Sequence, residues 1–530
     1  MPDSPVTRSW MRRHRVPFVA ITVPFLLWLV VRTMQRQEIG LEYAFQAMMA
    51  FQFVTMISVF MLAVWFLFLS GYTLKLRFAA ICVGVASIAG FIGLVQKVEF
   101  DGQMTPIVQY RWERNHDEIL SQHLQQTQPA TSGADLKVSV SDSPFYRGFK
   151  GDGSTAGVEL SDIWATPPKQ LWKHPVGTGH AGIAIAGNSA ITMEQREGDE
   201  VVVCYERDTG RERWKYAYTA RFSTSEPMGG DGPRTTPAVA DGDVYTLGAN
   251  GDLVCVDGAN GTLRWKVNIL DENGATNLKW AMSGSPLIVG DLVIVNPGIN
   301  PENNTNQGVA AYDRKTGKKA WANGKYGAAY ASPQKVTLSG IEQVLVFDFG
   351  GLGGYDPKTG AELWRYPWET AMGMNSAQPV VVGADRVFVS SEVGNGGAVI
   401  EVRKDGSTWT TKEVWKNRNL VARFANLVFT NGHLYGLSNN KLACVNATTG
   451  KRLWYEGNYG NGQIVLSGTL LVMTTEKGKV VMVAADPTEH RELGELVVFT
   501  TRTWNVPALA GNQLFLRNHR EMAAYELPKR

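Results

Sequence analysis

Thirteen residues near the end of the chain, LACVNATTGKRLW at 442–454, set a pattern that recurs four more times. The same frame reads VVCYERDTGRERW at 202–214, LVCVDGANGTLRW at 253–265, VAAYDRKTGKKAW at 309–321 and LGGYDPKTGAELW at 352–364. Each copy holds a small residue, then Gly six positions later, then Trp four after that. A repeat of this kind demands stacked copies of one supersecondary unit, because a single unit cannot bury its apolar face alone. Two degenerate copies fill the gaps: VIEVRKDGSTWTTKEVW, ending at Trp415, and VMVAADPTEHRELGELVVF, with Phe499 in the Trp place. EMAAYEL at 521–527 begins an eighth copy that stops before its Trp, and LWKHPV at 171–176 supplies the missing part from the other end.

A second signature gives an independent count. Pairs of short alternating strands around a Gly or Asn-Gly turn appear as AIAGNSAITM, AVADGDVYTL, LIVGDLVIV, VTLSGIEQVLVF, VVVGADRVFV, VFTNGHLYGL, IVLSGTLLVM and PALAGNQLFL, again eight. Residues 171–530 number 360, which divided by eight is 45, the length of one four-stranded propeller blade. The expected fold is therefore all-β, an eight-bladed propeller closed by its own two ends. Gly210, Gly261, Gly317, Gly360 and Gly450 are expected to close the hairpin between the third and fourth strands. The residues four before them (Glu206, Asp257, Asp313, Asp356, Asn446) are placed to bond the turn backbone. Trp172, Trp214, Trp265, Trp321, Trp364, Trp415 and Trp454 suit the joints between blades, being large, flat and equipped with one N–H donor. Cys204, Cys255 and Cys444 all fall in the small-residue slot, so they are expected to be buried unpaired thiols; Cys82 lies in an apolar run and reads the same way.

The first hundred residues follow a different rule. Val16–Val31, Ala44–Ser70 and Phe78–Val95 are apolar runs, the second without a charge across 27 positions. A bilayer core needs about 20 helical residues to cross, so three membrane helices are expected over 16–32, 44–70 and 78–96, the first the weakest because it is 16 long and carries Pro17 and Pro24. Arg8, Arg12, Arg13 and Arg15, with a short Lys75/Arg77 loop, place the N-terminus in the cytoplasm by the positive-inside rule. Three crossings then put the remainder outside: an inner-membrane, multi-pass protein with its propeller facing the periplasm or exterior. The domains expected are 1–100 as membrane region, 101–142 as a flexible linker rich in Gln, Ser and Thr with a short helix near the membrane, and 143–530 as the propeller, its ring proper 171–530. A net charge of +3 and the lack of a basic stripe with interleaved aromatics exclude nucleic acid. The lipid bilayer is one partner, an envelope protein or peptide another, and the propeller is expected to be monomeric. GGLGG at 350–354 does not open a helix and GGDGPRTT at 229–236 lacks a phosphate-loop Lys, so neither marks a nucleotide site. Asn303-Asn304-Thr305 is set aside as a chance glycosylation match.

The frame small-x-Asp-x-x-Thr-Gly-x-x-x-Trp, repeated over 171–530, resembles the pyrroloquinoline-quinone (PQQ) type propeller repeat, whose family includes quinoprotein alcohol and glucose dehydrogenases and the assembly lipoprotein BamB. Apolar helices, FYRGFKGDG at 145–153 and then the ring also resemble membrane-anchored members of that family. The resemblance implies two functions: a binding or assembly platform like BamB, or a dehydrogenase using PQQ with calcium to oxidise an alcohol or sugar and reduce membrane quinone. Against the enzyme stand a propeller shorter than those of the catalytic members, the lack of adjacent cysteines, and no Glu, Asn and Asp set for calcium, since the acidic residues in register are turn residues. Against a lipoprotein stands the lack of a lipobox cysteine. No catalytic or metal residue is assigned. Ligands of propellers gather where the innermost strands begin, which selects Arg234, Trp280, Tyr330, Asn375, Arg423, Trp504 and Asn505, with His180, Ser283 and Gln463, as the candidate channel-mouth set. The alternative role for these groups is bridging blades and holding channel water.

Overall fold

The computed structural model describes residues 5–36, 41–102, 106–131, 133–156, 159–164, 167–224, 229–300, 302, 306–370, 373–391 and 395–530; the Asn303-Asn304-Thr305 match lies outside them. Two compact units divide the chain, residues 1–98 with 108–113, and 99–107 with 114–530.

In the first unit the helices are Pro5–Arg36, Leu41–Val64 and Leu74–Leu94, the second running on through one π-helical turn, Trp65–Leu69. Ala50–Leu69 and Leu74–Leu94 are long and apolar enough to cross a membrane; the apolar part of the first helix, Val16–Val31, is shorter. The third helix starts earlier than expected. Thr73 caps it by accepting from Leu76 N, so Lys75 and Arg77 sit in its first turn rather than in a loop, and Arg77 Nη1 reaches back to Leu67 O at 2.7 Å.

The second unit is an eight-bladed β-propeller. Blades 1 to 7 occupy 184–219, 238–268, 287–323, 334–367, 380–417, 427–456 and 463–497, each a four-stranded antiparallel meander. Blade 8 takes three strands from 508–526 and its outermost, Lys169–Pro175, from the far end of the module. That strand pairs Trp172 with Ala524 and Pro175 with Glu521, which closes the ring as the split repeat requires. Eight buried apolar clusters fill the molecule, one at each joint between neighbouring blades.

The repeated residues meet at those joints. Within a blade the small residue lies opposite the Trp, as in Cys204 with Trp214, Cys255 with Trp265, Ala311 with Trp321 and Cys444 with Trp454, and the register slips by a bulge at the next residue. The indole then leans onto the next blade. Trp214 Nε1 donates to Gly258 O at 2.8 Å, Trp265 to Arg314 O at 2.9 Å, Trp415 to Ala447 O at 2.8 Å and Trp454 to Asp486 O at 2.9 Å. Its ring covers the turn glycine there: a methyl on Gly261 would lie 2.6 Å from Trp214, and one on Gly317 2.7 Å from Trp265. Both glycines also hold left-handed backbone, at φ of 76° and 70°. The residue four before accepts from the turn amides, Asp313 Oδ1 from Lys315 N and Thr316 N, for example. Burial raises the slot thiols, Cys204 and Cys444 to about 11 and Cys255 to about 12, as suits inert fillers.

Two joints depart from the frame. Blade 5 has a long third hairpin, Gly396–Asp405 with Thr408–Asn417, and Trp364 of blade 4 bonds Gln343 Oε1 of its own blade at 2.5 Å instead of a neighbouring turn. In blade 7 Phe499 does not take the Trp place. Met482 pairs with Gly494 at the bulge position, and Trp164, from the segment ahead of the ring, lies over it: a methyl on Gly494 would sit 2.7 Å from that indole.

The stretch 101–142 carries the short helix expected of it and packs against the ring. His116–Gln126 is a helix capped by Asn115, with Leu120 buried and His116 Nε2 at 2.6 Å from Val176 O. Leu136 enters the joint of blades 1 and 2, and Asp142 pairs with Arg207 at 3.1 Å. The reason is apolar spacing within a polar-looking sequence: single leucines are enough to pin such a stretch along a ready-made joint.

The joint can be tested with two glycines. Gly340 holds φ of 74° with open space around its Cβ position, whereas Gly317 has the same backbone under an indole. Gly340→Ala should cost about 1 kcal/mol, the left-handed penalty alone, and Gly317→Ala a further ~1–3 kcal/mol from overpacking. Denaturant midpoints of the full-length protein in detergent measure both; equal losses would remove the indole from the account.

A pocket in the central channel

The stretch FYRGFKGDG, with its flanks, crosses the axis of the ring. Pro144 O accepts from Val239 N of blade 2 at 3.0 Å, Asn426 Nδ2 of blade 6 donates to Tyr146 OH at 2.8 Å, and Gln334 Nε2 of blade 4 donates to Gly151 O at 3.2 Å. Arg147 donates to Gln378 Oε1 of blade 5 and to Leu427 O of blade 6. Ser154–Thr155 then pairs in parallel with Leu466–Ser467 of blade 7. Turns at Arg147 (φ 64°), Gly148 and Gly153 let the segment fold back inside so narrow a space. The channel is plugged, and Tyr146 belongs to the wall of a pocket of about 200 Å³.

Most of the selected mouth residues gather in this pocket. His180, Arg234, Trp280, Ser283, Tyr330, Arg423, Gln463 and Trp504 line it, joined by Met374, Ser376, Phe424 and Val506. Asn375 and Asn505 do not. Asn375 is fully buried and donates to Asp348 O and Trp368 O, and Asn505 donates to Ala181 O, joining blade 8 to blade 1. Alternation explains the split, since residues one apart on extended chain face opposite ways. Two positions beyond several of the lining residues runs a second set that does bridge blades. Thr236 N donates to Ser285 Oγ at 2.8 Å, Ser285 N to Ser332 Oγ at 2.9 Å, Gln378 N to Asn426 Oδ1 at 3.1 Å and Asn426 N to Gln463 Oε1 at 3.2 Å. Thr236 and Gln463 do both, whereas Ser285, Ser332, Gln378 and Asn426 bridge blades without lining the pocket.

The pocket is electropositive and rich in donors. Arg234 is held by Gly230 O at 2.7 Å and stacks 5.6 Å from the Phe222 ring, while its Nε has no partner. Burial, then the nearby Arg502, pushes Arg234 down to about 10. Both ring nitrogens of His180 and Trp280 Nε1 are buried without a hydrogen bond. Burial, then Arg234 and Arg502, holds His180 well below its ordinary value, so its ring is neutral at physiological pH. Trp280 tilts against Tyr330 with centroids 5.8 Å apart, and Phe424 meets Trp504 edge-on at 5.1 Å. Such a wall offers unspent N–H groups and aromatic faces to carbonyl, carboxylate or planar groups.

Sequence reasoning missed Tyr146, Met374, Ser376, Phe424 and Val506, and also Arg502, His519 and Glu476 just beside the pocket. None carries the repeat frame; Arg502 and Glu476 sit in loops between strands, where only assembly of the ring brings them to the axis.

Residues 198–456 match the family model described as outer membrane protein assembly factor BamB. BamB of Burkholderia pseudomallei (strain K96243) is 24% identical over 359 residues, covering 65% of this chain and 82% of that protein. Among solved structures, quinohemoprotein alcohol dehydrogenase from Comamonas testosteroni superposes with a TM-score of 0.54 at 12% identity, over 78% of this chain and 84% of that one. The quinohemoprotein alcohol dehydrogenase ADHIIG from Pseudomonas putida HK5 gives 0.52 at 13%, over 75% and 83%. The chain carries an eight-bladed β-propeller, of which residues 198–456 are similar to the BamB family. By sequence that propeller is related to BamB; to the alcohol dehydrogenases it is similar in fold.

The residues present do not fit a quinone clamped by calcium. The pocket lining contains Arg234, Arg423 and His180 and no carboxylate, and among the described residues no three His, Cys, Asp or Glu gather as a metal site. A hard dication needs oxygen ligands, several of them charged, and buried guanidinium groups repel it.

Beside the pocket, His519 stacks 6.3 Å from His180 and is pushed down to about 3 by burial, Arg520 and Arg502. Below about pH 6.5 the unfolded chain therefore binds a proton that the folded chain refuses, so stability falls as pH drops from about 6.5 towards 3. His519→Asn should flatten the stability-against-pH slope between pH 6 and 4.5 by up to about 1.4 kcal/mol per pH unit, read by urea unfolding at stepped pH.

Proposed function

We propose that this chain is a membrane-anchored PQQ-like propeller acting as a binding or assembly platform at the cell envelope, its ring on the outer side of the inner membrane. The observation that carries the reading is the pocket wall: cations, unspent N–H donors and aromatic faces with no carboxylate among them. That composition suits the acceptor groups of a polypeptide and opposes a metal-held redox cofactor. Kinship to a protein named as an outer membrane assembly factor points the same way. The two long apolar helices support the anchor; the sidedness rests on the shorter first helix, behind its Arg-rich start, crossing as well, since two crossings alone would return the ring to the side of the N-terminus. The rival reading, a PQQ-dependent dehydrogenase, has only likeness of fold behind it.

A photo-crosslinking residue in place of Trp504 should yield an adduct with an envelope polypeptide in cells, whereas one in place of Leu453, exposed on an outer strand, should not. PQQ with calcium should leave the melting temperature unchanged, because only a ligand of the folded state raises it. A rise of several degrees together with substrate-driven dye reduction would overturn the platform in favour of the enzyme. Alkaline phosphatase fused after Arg530 should be active; a silent fusion beside an active cytoplasmic reporter at the same site would reverse the sidedness.

A further inference from the structure

A short strap of the chain's own leader, Glu99–Gly102, docks beside the pocket through its main chain. Arg502 Nη1 donates to Phe100 O at 2.7 Å, Arg423 Nη1 donates to Gly102 O, and Gly102 N donates to Glu476 Oε1 at 2.6 Å. Arg502 also meets the Glu99 carboxylate at 3.5 Å. The groups that grip the strap are fixed beforehand. Glu476 is buried and accepts from Trp504 Nε1 at 2.8 Å and Asn461 N at 3.1 Å, and the Arg502 guanidinium lies 4.4 Å over the Trp504 ring. Arg423 is at once a strap contact and pocket wall, and Trp504, also in the wall, steadies Arg502 and Glu476.

Charged side chains that reach carbonyl oxygens and an amide read backbone, which every extended peptide presents. One position is selective: a methyl on Gly102 would lie 2.2 Å from Asn461 Nδ2 and 2.6 Å from Glu476 Oε1, so any larger residue must push aside two buried, hydrogen-bonded side chains. Three residues before it, an acidic side chain finds Arg502. We propose that the channel mouth is a receptor for an extended peptide of the pattern acidic-x-x-Gly, and that Glu99–Gly102 is its resident occupant, which an external segment must displace. This deepens the platform reading and rests on it for the existence of an external partner. The strap thereby sets a threshold: the partner competes with a tethered rival at high effective concentration, and removing the rival raises the apparent affinity.

The test uses the full chain in detergent and a labelled, amidated peptide of residues 95–102, VQKVEFDG. Gly102→Ala in the protein expels the strap and leaves the mouth intact, so the peptide should bind this variant at least tenfold tighter than wild type. Binding should vanish when the glycine of the peptide is alanine, or when the protein also carries Glu476→Gln. In wild type, hydrogen exchange at the Gly102 amide should be slow and should quicken when unlabelled peptide is added in excess, a reading that needs no variant to fold. Failure of the peptide to bind a folded Gly102→Ala protein, or an exchange rate at Gly102 unmoved by peptide, overturns the proposal. Peptide binding without any crosslinked envelope polypeptide would keep the receptor and remove the platform; the reverse result would remove the receptor alone.

Discussion

An indole laid over a glycine is the contact on which the ring depends. A four-stranded sheet has two faces and two edges, and a blade in isolation would leave both faces wet. The Trp at the fourth strand of one blade and the tight turn of the next make a flat-on-flat joint. The donated hydrogen bond from Nε1 fixes its angle as burial fixes its distance. Bare backbone is needed beneath the ring because any Cβ there would hold the two blades apart. A single residue pair thus couples a hairpin's local geometry to the pitch of the whole circle.

The same circle decides what lies on its axis. Inner strands converge, so their first residues face each other across a narrow space; single steps turn Asn375 and Asn505 away from the cavity, and positions two residues further along tie blades together. The tying side chains are short and neutral: Ser285, Ser332 and Asn426. The facing set carries the charge and the aromatic rings, with Arg234 held by Gly230 O and the Phe222 ring and Arg423 by Gly102 O. Burying such groups is costly unless something completes their bonding. Arg147, 3% exposed on the plug, shows one answer, in which the chain supplies carbonyl and amide oxygens to itself. The strap at the mouth supplies another.

Much of this was legible in the sequence, and for physical reasons. Trp, turn Gly and the small slot recur because they serve repeated geometry, so the eight blades and their closure by Trp172 could be counted before any coordinate was seen. Period and parity also brought Arg234, Trp280, Tyr330, Arg423 and Trp504 to one wall, while one-residue errors put Asn375 and Asn505 on the tying side. What stayed hidden was everything that is unrepeated. Trp164 over Gly494, Tyr146 across the axis, Leu136 in the joint of blades 1 and 2, and the strap each occur once, in stretches whose composition reads as linker. Phe499 took the expected Trp place in the sequence because spacing alone cannot register a bulge.

The split blade has an implication for how the molecule comes into being. Lys169–Pro175 leaves the ribosome more than three hundred residues ahead of the strand it must join, Glu521–Glu526. Until that last strand arrives, the first-made edge stays open and the circle has a gap. A chain cut short by even a score of residues therefore keeps two raw edges for proteases to find. Closure serves as a proofreading step, passed only by a polypeptide made through Glu526.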